Sequence, residues 1–467
     1  MTPTKRIRYS FLAVLLPLLY LTGCSSVATR KGFYEPITAE LRANNPSGAA
    51  DLLEQAREEN KYSEKDRLLY FLDAGLLNHY ADRWEASNIK LHLADAAAEE
   101  LFTKSISRSA ASMVLNDNVL EYAGEDYEVL YANLISALNY LALEQPEDAF
   151  VEIRRANLKL TQLEQKYADA AAEFQRRSQD DTSAVHIDYD VDKVRFNNDA
   201  FARYLSMHLY AADGKWDDAE IDYSHLIHAF ETQPHIYDFP IPDVKYRAEG
   251  GALLSVVALI GLAPEKEALS LRLRTDKDLD LVQILYDTPG GDGPEYGHFP
   301  VPIGDDYYFK FAIPQLVDRP SAVASVRVSV DGSALGELQL LENLGAVARE
   351  TFSAKKSLIY IRTVIRALAK GLAAHQAKEE ADTGGIVGWL KKAAIDVATD
   401  LTENPDLRSV QYLPGCIMVG DFEVAPGPHT VVLEYVGFDG HVIGRTRYED
   451  FPVARGDFNL AEGFCIH

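Results

Sequence analysis

Cys24 is the residue of this chain whose neighbours most nearly spell out a chemistry. It follows Leu21-Thr22-Gly23 and precedes Ser25-Ser26. Small residues before a cysteine let a signal peptidase reach the backbone, and the thiol can then carry a diacylglycerol. The upstream residues agree. Lys5, Arg6 and Arg8 make a basic start, and FLAVLLPLLYL from Phe11 to Leu21 has no charge. That run is shorter than the ~20 apolar residues of a spanning helix and is broken by Pro17, so it fits the apolar core of a secretory signal. The pattern resembles the bacterial lipobox, which implies cleavage before Cys24 and lipid on its sulfur. One acyl chain holds a membrane weakly and two or more hold it durably. Serine rather than aspartate after the cysteine points to the outer membrane, facing the periplasm. An ordinary signal peptide with an incidental cysteine, or an uncleaved anchor, is the other reading.

With Cys24 assigned to lipid, Cys416 and Cys465 remain as an even pair in an oxidising compartment. The expectation is a disulfide between them, contributing roughly 4 kcal/mol by loop closure; two buried thiols are the alternative. Two cysteines without paired histidines do not make a zinc site. A third group of interest is charged. Tyr127-Glu128 opens one helical segment, and Glu152, Arg154 and Arg155 lie on its neighbour in sequence. Charges on a helix-pair interface need ion partners, because breaking a buried pair costs several kcal/mol. An internal salt bridge, a solvated face and a ligand site are all compatible with this pattern.

Recognisable catalytic motifs are missing from the sequence: there is no G-x-S-x-G, H-E-x-x-H, G-x-x-x-x-G-K or post-strand G-x-G-x-x-G. His228 and His235 flank Glu231, but this spacing is a poor metal set, and no cofactor is expected. Among 71 acidic residues no carboxylate pair stands out, so a glycan hydrolase using two carboxylates stays open as the enzymatic alternative. The net charge is −25, or −28 once the leader's three cations are gone, and such a surface repels nucleic acid and anionic lipid headgroups.

These residues need elements to hold them, and the pattern calls for an α+β chain. With 467 residues there is room for two or three cores, and 47% hydrophobic with 25% charged residues excludes disorder over most of the length. Residues 1–23 read as leader, 24–45 as lipidated tether, 46–245 as a helical domain and 250–467 as a β-rich domain. In 127–158, Leu130, Leu134, Ala137 and Leu141 mark one apolar face; Ala149, Val151, Ile153 and Ala156 mark another after the turn at Gln145-Pro146. This helix–turn–helix resembles the tetratricopeptide repeat through Ala137, Tyr140, Ala149 and Ala156. Weaker matches pass through Tyr210, Gly214, Trp216, Ala219 and Tyr223 (with Met207 in place of a small residue), through Gly75, Trp84, Leu91 and Ala94, and through Ala49, Leu53 and Ala56. The units start about 38, 62 and 70 residues apart rather than at a regular 34. An α-solenoid of such pairs would leave a concave face for a partner's peptide or helix.

Beyond Gly250 the pattern turns to strands. The charge-free 250–264 run is too short to span a membrane and reads as a buried strand pair. Val330-Asp331-Gly332-Ser333 and Phe438-Asp439-Gly440-His441 read as tight turns in an antiparallel sandwich or small barrel. Residues 354–402 interrupt with helical sequence whose Arg362, Arg366, Lys370, Lys391 and Lys392 form a basic side. That side reads first as part of two amphipathic helices covering the sheet, and in the alternative as a contact with a membrane surface or an acidic partner.

Several landmarks together resemble a family of Gram-negative outer-membrane lipoproteins that has no assigned activity. They are Tyr127-Glu128, Val151-Glu152-Ile153-Arg154-Arg155, Gly261-Leu262-Ala263-Pro264-Glu265-Lys266, and Asp406-Leu407-Arg408-Ser409 leading to Leu413-Pro414-Gly415. The resemblance covers most of the mature chain. It implies an envelope location, a tetratricopeptide-like helical half and a β-rich half. The resulting expectation is a membrane-anchored scaffold that binds another envelope protein.

Overall fold

Four times in the N-terminal half the chain makes the same turn. In a computed structural model, which describes residues 31–107, 120–180, 195–276, 278, 281–287, 294–300, 308–353, 356 and 405–467, eight helices form four hairpins. They are α1 (Tyr34–Arg42) with α2 (Pro46–Glu58), α3 (Arg67–Tyr80) with α4 (Trp84–Ser107), α5 (Asp126–Ala142) with α6 (Pro146–Asp180), and α7 (Ala200–Ala212) with α8 (Trp216–Thr232). The central residue of each three-residue turn is left-handed: Asn44, Asp82, Glu144 and Gly214, with φ of 57°, 55°, 57° and 71°. The next N–H donates back to a carbonyl five residues earlier, as Arg83 to Asn78 and Gln145 to Tyr140. This motif satisfies carbonyls that a helix end leaves open. Five residues past the left-handed position stand Ala49, Ser87, Ala149 and Ala219, all fully buried. Twelve past it stand Ala56, Ala94, Ala156 and Leu226, also buried. Small side chains at all of these positions except Leu226 let the two helices close, and at Gly75 even one Cβ would collide with Leu91.

The first helix of each later pair is apolar nearly all round, which requires burial on every side. From Tyr127 to Asn139 every residue of α5 is buried, whereas α8 buries only Ala219, Asp222, Leu226, Ala229 and Phe230. So α3, α5 and α7 form an inner layer and α4, α6 and α8 an outer one. What covers the inner layer is the chain's own C-terminal half.

Twelve strands are described, in three four-stranded sheets ordered β12-β1-β9-β8, β11-β10-β6-β7 and β4-β3-β2-β5, where β3 is Leu281–Asp287 and β4 is Pro294–Pro300. The first contains β1 (Ala252–Ile260), β8 (Gln339–Asn343), β9 (Cys416–Val424) and β12 (Asn459–Cys465). Its alternation sends Leu254, Val256, Ala258 and Ile260 towards Val326 and Val328 of β6 (Val323–Val330) and Leu433 and Tyr435 of β10 (Gly427–Gly437). Those side chains form the core between the first two sheets. Val257 and Leu259, on the opposite face, join one continuous cluster with the helices. Burial on both faces explains the charge-free sequence of β1. At Gly261 (φ 64°) the chain turns straight into β2 (Leu262–Asp276), which pairs with β5 (Tyr308–Arg319) in the third sheet. The two expected turns are present, at Asp331-Gly332 before β7 (Ser333–Glu337) and at Gly440 before β11 (Val442–Val453).

Several expectations are corrected. Within the 24–45 stretch expected to be a tether, Tyr34–Arg42 form helix α1, which buries Tyr34, Ile37 and Leu41. The sheets are not wholly antiparallel, since β1 and β12 run parallel. Cys416 and Cys465 are both free thiols. Each is the register partner of Ile260, one on either side of β1. Two strand spacings put them about 9.5 Å apart, beyond the ~6.8 Å Cα separation a disulfide tolerates, with the Ile260 side chain between them. The helix layer does not hold an open inner face for a partner either, because the sheet and residues 405–413 occupy it. Cys24 lies outside the described residues, as does the 354–402 insertion apart from Lys356. Among the described residues no helix is long and apolar enough to cross a membrane.

Candidate functional site

The charged cluster singled out from the sequence separates into two places. Glu128, in the first turn of α5, is fully buried and faces the C-terminal half. Its carboxylate accepts from Tyr122 Oη (2.6 Å), the Glu125 N–H (2.8 Å) and the Val410 N–H (2.8 Å). Burial and the nearby Glu125 push its pKa up, against the Lys266 ammonium and the hydrogen bonds. Tyr127 is buried beside it. This is an internal clamp on the extended segment 405–413.

Other carboxylates grip the same segment. Asp73 accepts from the Gln411 N–H (2.8 Å), Tyr62 Oη (2.8 Å) and Tyr34 Oη (3.0 Å), and burial lifts its pKa to about 7 despite those donors. Arg408 lies between Asp66 (2.8 Å) and Asp406 (2.8 Å), and burial is outweighed at Asp406 by that guanidinium, which holds its pKa down at about 2. Lys266 pairs with Glu125 in the same buried layer. Asp66, Asp73 and Lys266 were invisible as a set in the sequence. The available signal was an aspartate inside the otherwise apolar run Leu68–Leu77 of α3.

Two polar groups further along the helix–sheet interface have the residue types of an active site. Ser255, His208 and Asp421 meet in the interior, but Ser255 Oγ donates to Asp421 Oδ1 (2.7 Å) and lies 3.5 Å from His208 Nδ1. In a nucleophilic triad the histidine stands between serine and carboxylate; here Ser255 donates directly to the same Asp421 oxygen that lies 3.2 Å from His208 Nε2. Tyr204 Oη also donates to Asp421 (2.9 Å), and the His208 ring stacks on Phe458. His79 likewise bridges Asn139 Oδ1 (2.7 Å) and Glu462 Oε1 (2.7 Å), tying α3 to β12. Both groups are buried fasteners between layers.

The second half of the cluster opens to solvent. Glu152 and Arg155 on α6 line a groove of about 420 Å³ with His92, Asp95 and Glu99 of α4 and Tyr140 of α5. Glu152 accepts from Asn133 Nδ2 (2.8 Å) and Arg155 Nη1 (3.0 Å), with His92 Nε2 at 3.4 Å. Burial opposes its charge, but His92, Asn133 and Arg155 hold its pKa below the ordinary glutamate range. Lys159 bridges Asp95 and Asn133 Oδ1 at the far end. A glycosidase acid must keep its proton near neutral pH, and Glu152, fixed as an anion by three donors, is not set up for that. Arg154 turns away and lies over the Phe150 ring, 5.6 Å from its centroid.

Around this groove the outer helices expose apolar side chains. Seven residues past the left-handed turn residue, hairpins two, three and four place Ile89, Val151 and Ile221, which are 61%, 42% and 53% exposed. The equivalent position of the first hairpin is Asp51, so the row ends there. Leu93 and Leu158 extend it along α4 and α6. No protein family, curated protein or solved structure matches the chain.

Proposed function

We propose that this chain is a lipid-anchored module of the outer membrane, facing the periplasm, that binds a partner protein through the outer faces of α4, α6 and α8. The observation that carries the reading is the row Ile89, Val151 and Ile221. Isolated exposed aliphatics are normal on a surface. Three at equivalent positions of successive hairpins repeat on one side of the helical layer, and exposed apolar side chains gathered on one face mark interaction sites. The shared turn and the small residues at its fixed offsets support reading the hairpins as tetratricopeptide-like units. With the inner layer filled by the chain's own sheet, recognition falls to the outer one.

A photo-crosslinking amino acid placed at position 89, 151 or 221 in cells should capture one reproducible protein. The same probe at Arg447, on the exposed edge strand β11, should not. Equal yields from all four positions would remove the outer face from consideration. The anchor is tested separately: Cys24→Ser should lose lipid labelling and leave the membrane fraction, and a variant that stays membrane-bound with unchanged processing defeats that part.

A further inference from the structure

We infer that Phe438, at the tip of the turn between β10 and β11, is a second membrane contact and enters the interfacial layer of the bilayer that holds Cys24. The inference rests on the lipid-anchor part of the reading above and adds the surface that the body turns towards the membrane.

Exposure comes first. Phe438 is 82% exposed, whereas the other exposed large apolar side chains among the described residues lie between 40% and 61%. The turn holds without its ring. The Gly437 N–H donates to the His441 carbonyl, the Gly440 N–H to the Gly437 carbonyl and the His441 N–H to Asp439 Oδ1, with Gly440 left-handed at φ 81°. None of these bonds uses the Phe438 side chain. A ring presented at the tip of a hairpin reaches a lipid interface while the strands behind it stay paired, and apolar side chains gain by burial at the headgroup and acyl boundary.

Position then selects the occupant. Gly437 is the register partner of Val323, the Ala322 N–H donates to the His467 carbonyl (2.8 Å), and His467 Nε2 lies 2.9 Å from the Arg42 carbonyl at the end of α1. The turn and α1 are thus joined through the C-terminal residue. α1 is only about 12 Å long, so the chain enters the body near the end that carries Phe438. Seven residues of chain lead from Cys24 to Lys31, where the described residues begin, and fully extended they span about 25 Å at most. A body tethered so closely keeps this end within reach of the bilayer. Charge does not hold it there, because a net −25 repels anionic headgroups. The contact is therefore apolar, and it fixes an orientation that one point of attachment leaves free.

The test uses the protein made with its own leader and reconstituted in phosphatidylcholine vesicles, and it reads tryptophan emission over the background of the three native tryptophans. Phe438→Trp should add blue-shifted emission. Lipid brominated on its acyl chains should quench that emission at least threefold more than the emission added by Arg447→Trp, further along β11. The quenching should persist in 1 M sodium chloride. Both are surface positions, and circular dichroism checks that the fold is kept. Equal quenching at the two positions, or none at 438, overturns the inference. So does loss of quenching in salt, which would make the contact one of charge. Lipid labelling of Cys24 and flotation of the unsubstituted protein with the vesicles are measured alongside. If that protein is labelled and floats while position 438 stays in water, the anchor stands and only the second contact is misassigned. If it is neither labelled nor floats, the anchor reading has failed and the inference falls with it.

Discussion

Asp73 sits inside the otherwise apolar run Leu68–Leu77 of α3, and its carboxylate ends on three donors from two halves of the chain. A buried carboxylate with such partners is held in place, yet burial still favours its neutral form. The consequence is a pH dependence of definite sign. Its pKa rises from an ordinary 3.8 to about 7 on folding, so between those values the native protein holds a proton that the unfolded chain has released. Stability contributed by this group is therefore greatest at low pH and falls as pH rises towards 7, by at most about 4 kcal/mol. His79 acts in the same direction. Burial works against its charge, but Glu462 and Asn139 keep its pKa raised, so its contribution is present below the ordinary histidine value and is lost as pH climbs through the folded one. Asp406, held near 2, acts only at lower pH. Urea unfolding of the full chain should show stability declining from pH 5 to pH 8. Asp73→Asn, close in shape and uncharged, should flatten that decline by about 2 kcal/mol; profiles that run parallel would show that Asp73 does not set it.

Elements show what sequence patterns could and could not convey. The hairpins were legible because helix contacts need small residues at fixed offsets, and Ala137, Ala149 and Ala156 stand at theirs. The strand β1 was legible because burial on two faces excludes charge. The turn before β7 was legible because Asp331-Gly332 suits a left-handed pair. What covers a face is a different matter. Periodicity marks the apolar side of α3, α5 and α7, but the bond from the Val410 N–H to Glu128 spans 282 residues and leaves no local trace. The paired cysteines misled for the same reason. Their spacing in sequence says nothing of Ile260, which places them two strands apart. At this scale the turns themselves can be tested. Glu144 is left-handed at φ 57° with its side chain exposed, where Gly214 occupies the equivalent turn position. A Cβ there costs roughly 1 kcal/mol, offset in part by glycine's greater freedom when unfolded. Glu144→Gly should therefore raise stability by about 0.5 kcal/mol, measurable as a higher urea midpoint with unchanged slope. A glycine at an exposed helix-interior site such as Gln162 should lower it by about 1 kcal/mol. A loss at both sites would mean that the turn is not strained.

Across the whole molecule, one hydrophobic cluster runs from Tyr34 and Leu41 through all four hairpins into Val257, Leu259, Ile417 and Val419 of the first sheet. Composition suggested a helical unit and a β-rich unit that meet near residue 250, and the secondary structure does change there. The packing does not divide at the same point. Tyr34, Tyr80 and Tyr204 are buried against Tyr412, Phe464 and Asp421 of the C-terminal half, so separating the two halves would uncover them. At about 25 cal/mol per Å² of apolar surface, such side chains contribute about 2 kcal/mol each, a large share of the entire stability of a domain. Glu128, Asp73 and Asp66 would also lose their partners in segment 405–413, leaving buried charge without its donors. The helical half should therefore not persist alone. A fragment of residues 31–245 should bind 1-anilinonaphthalene-8-sulfonate and aggregate, and the full chain's helix and sheet signals should disappear together at one urea concentration. A monomeric fragment with its own cooperative transition would show that the interface is a docking contact between two independent domains. That outcome would also reopen the inner face as a place where a partner could bind.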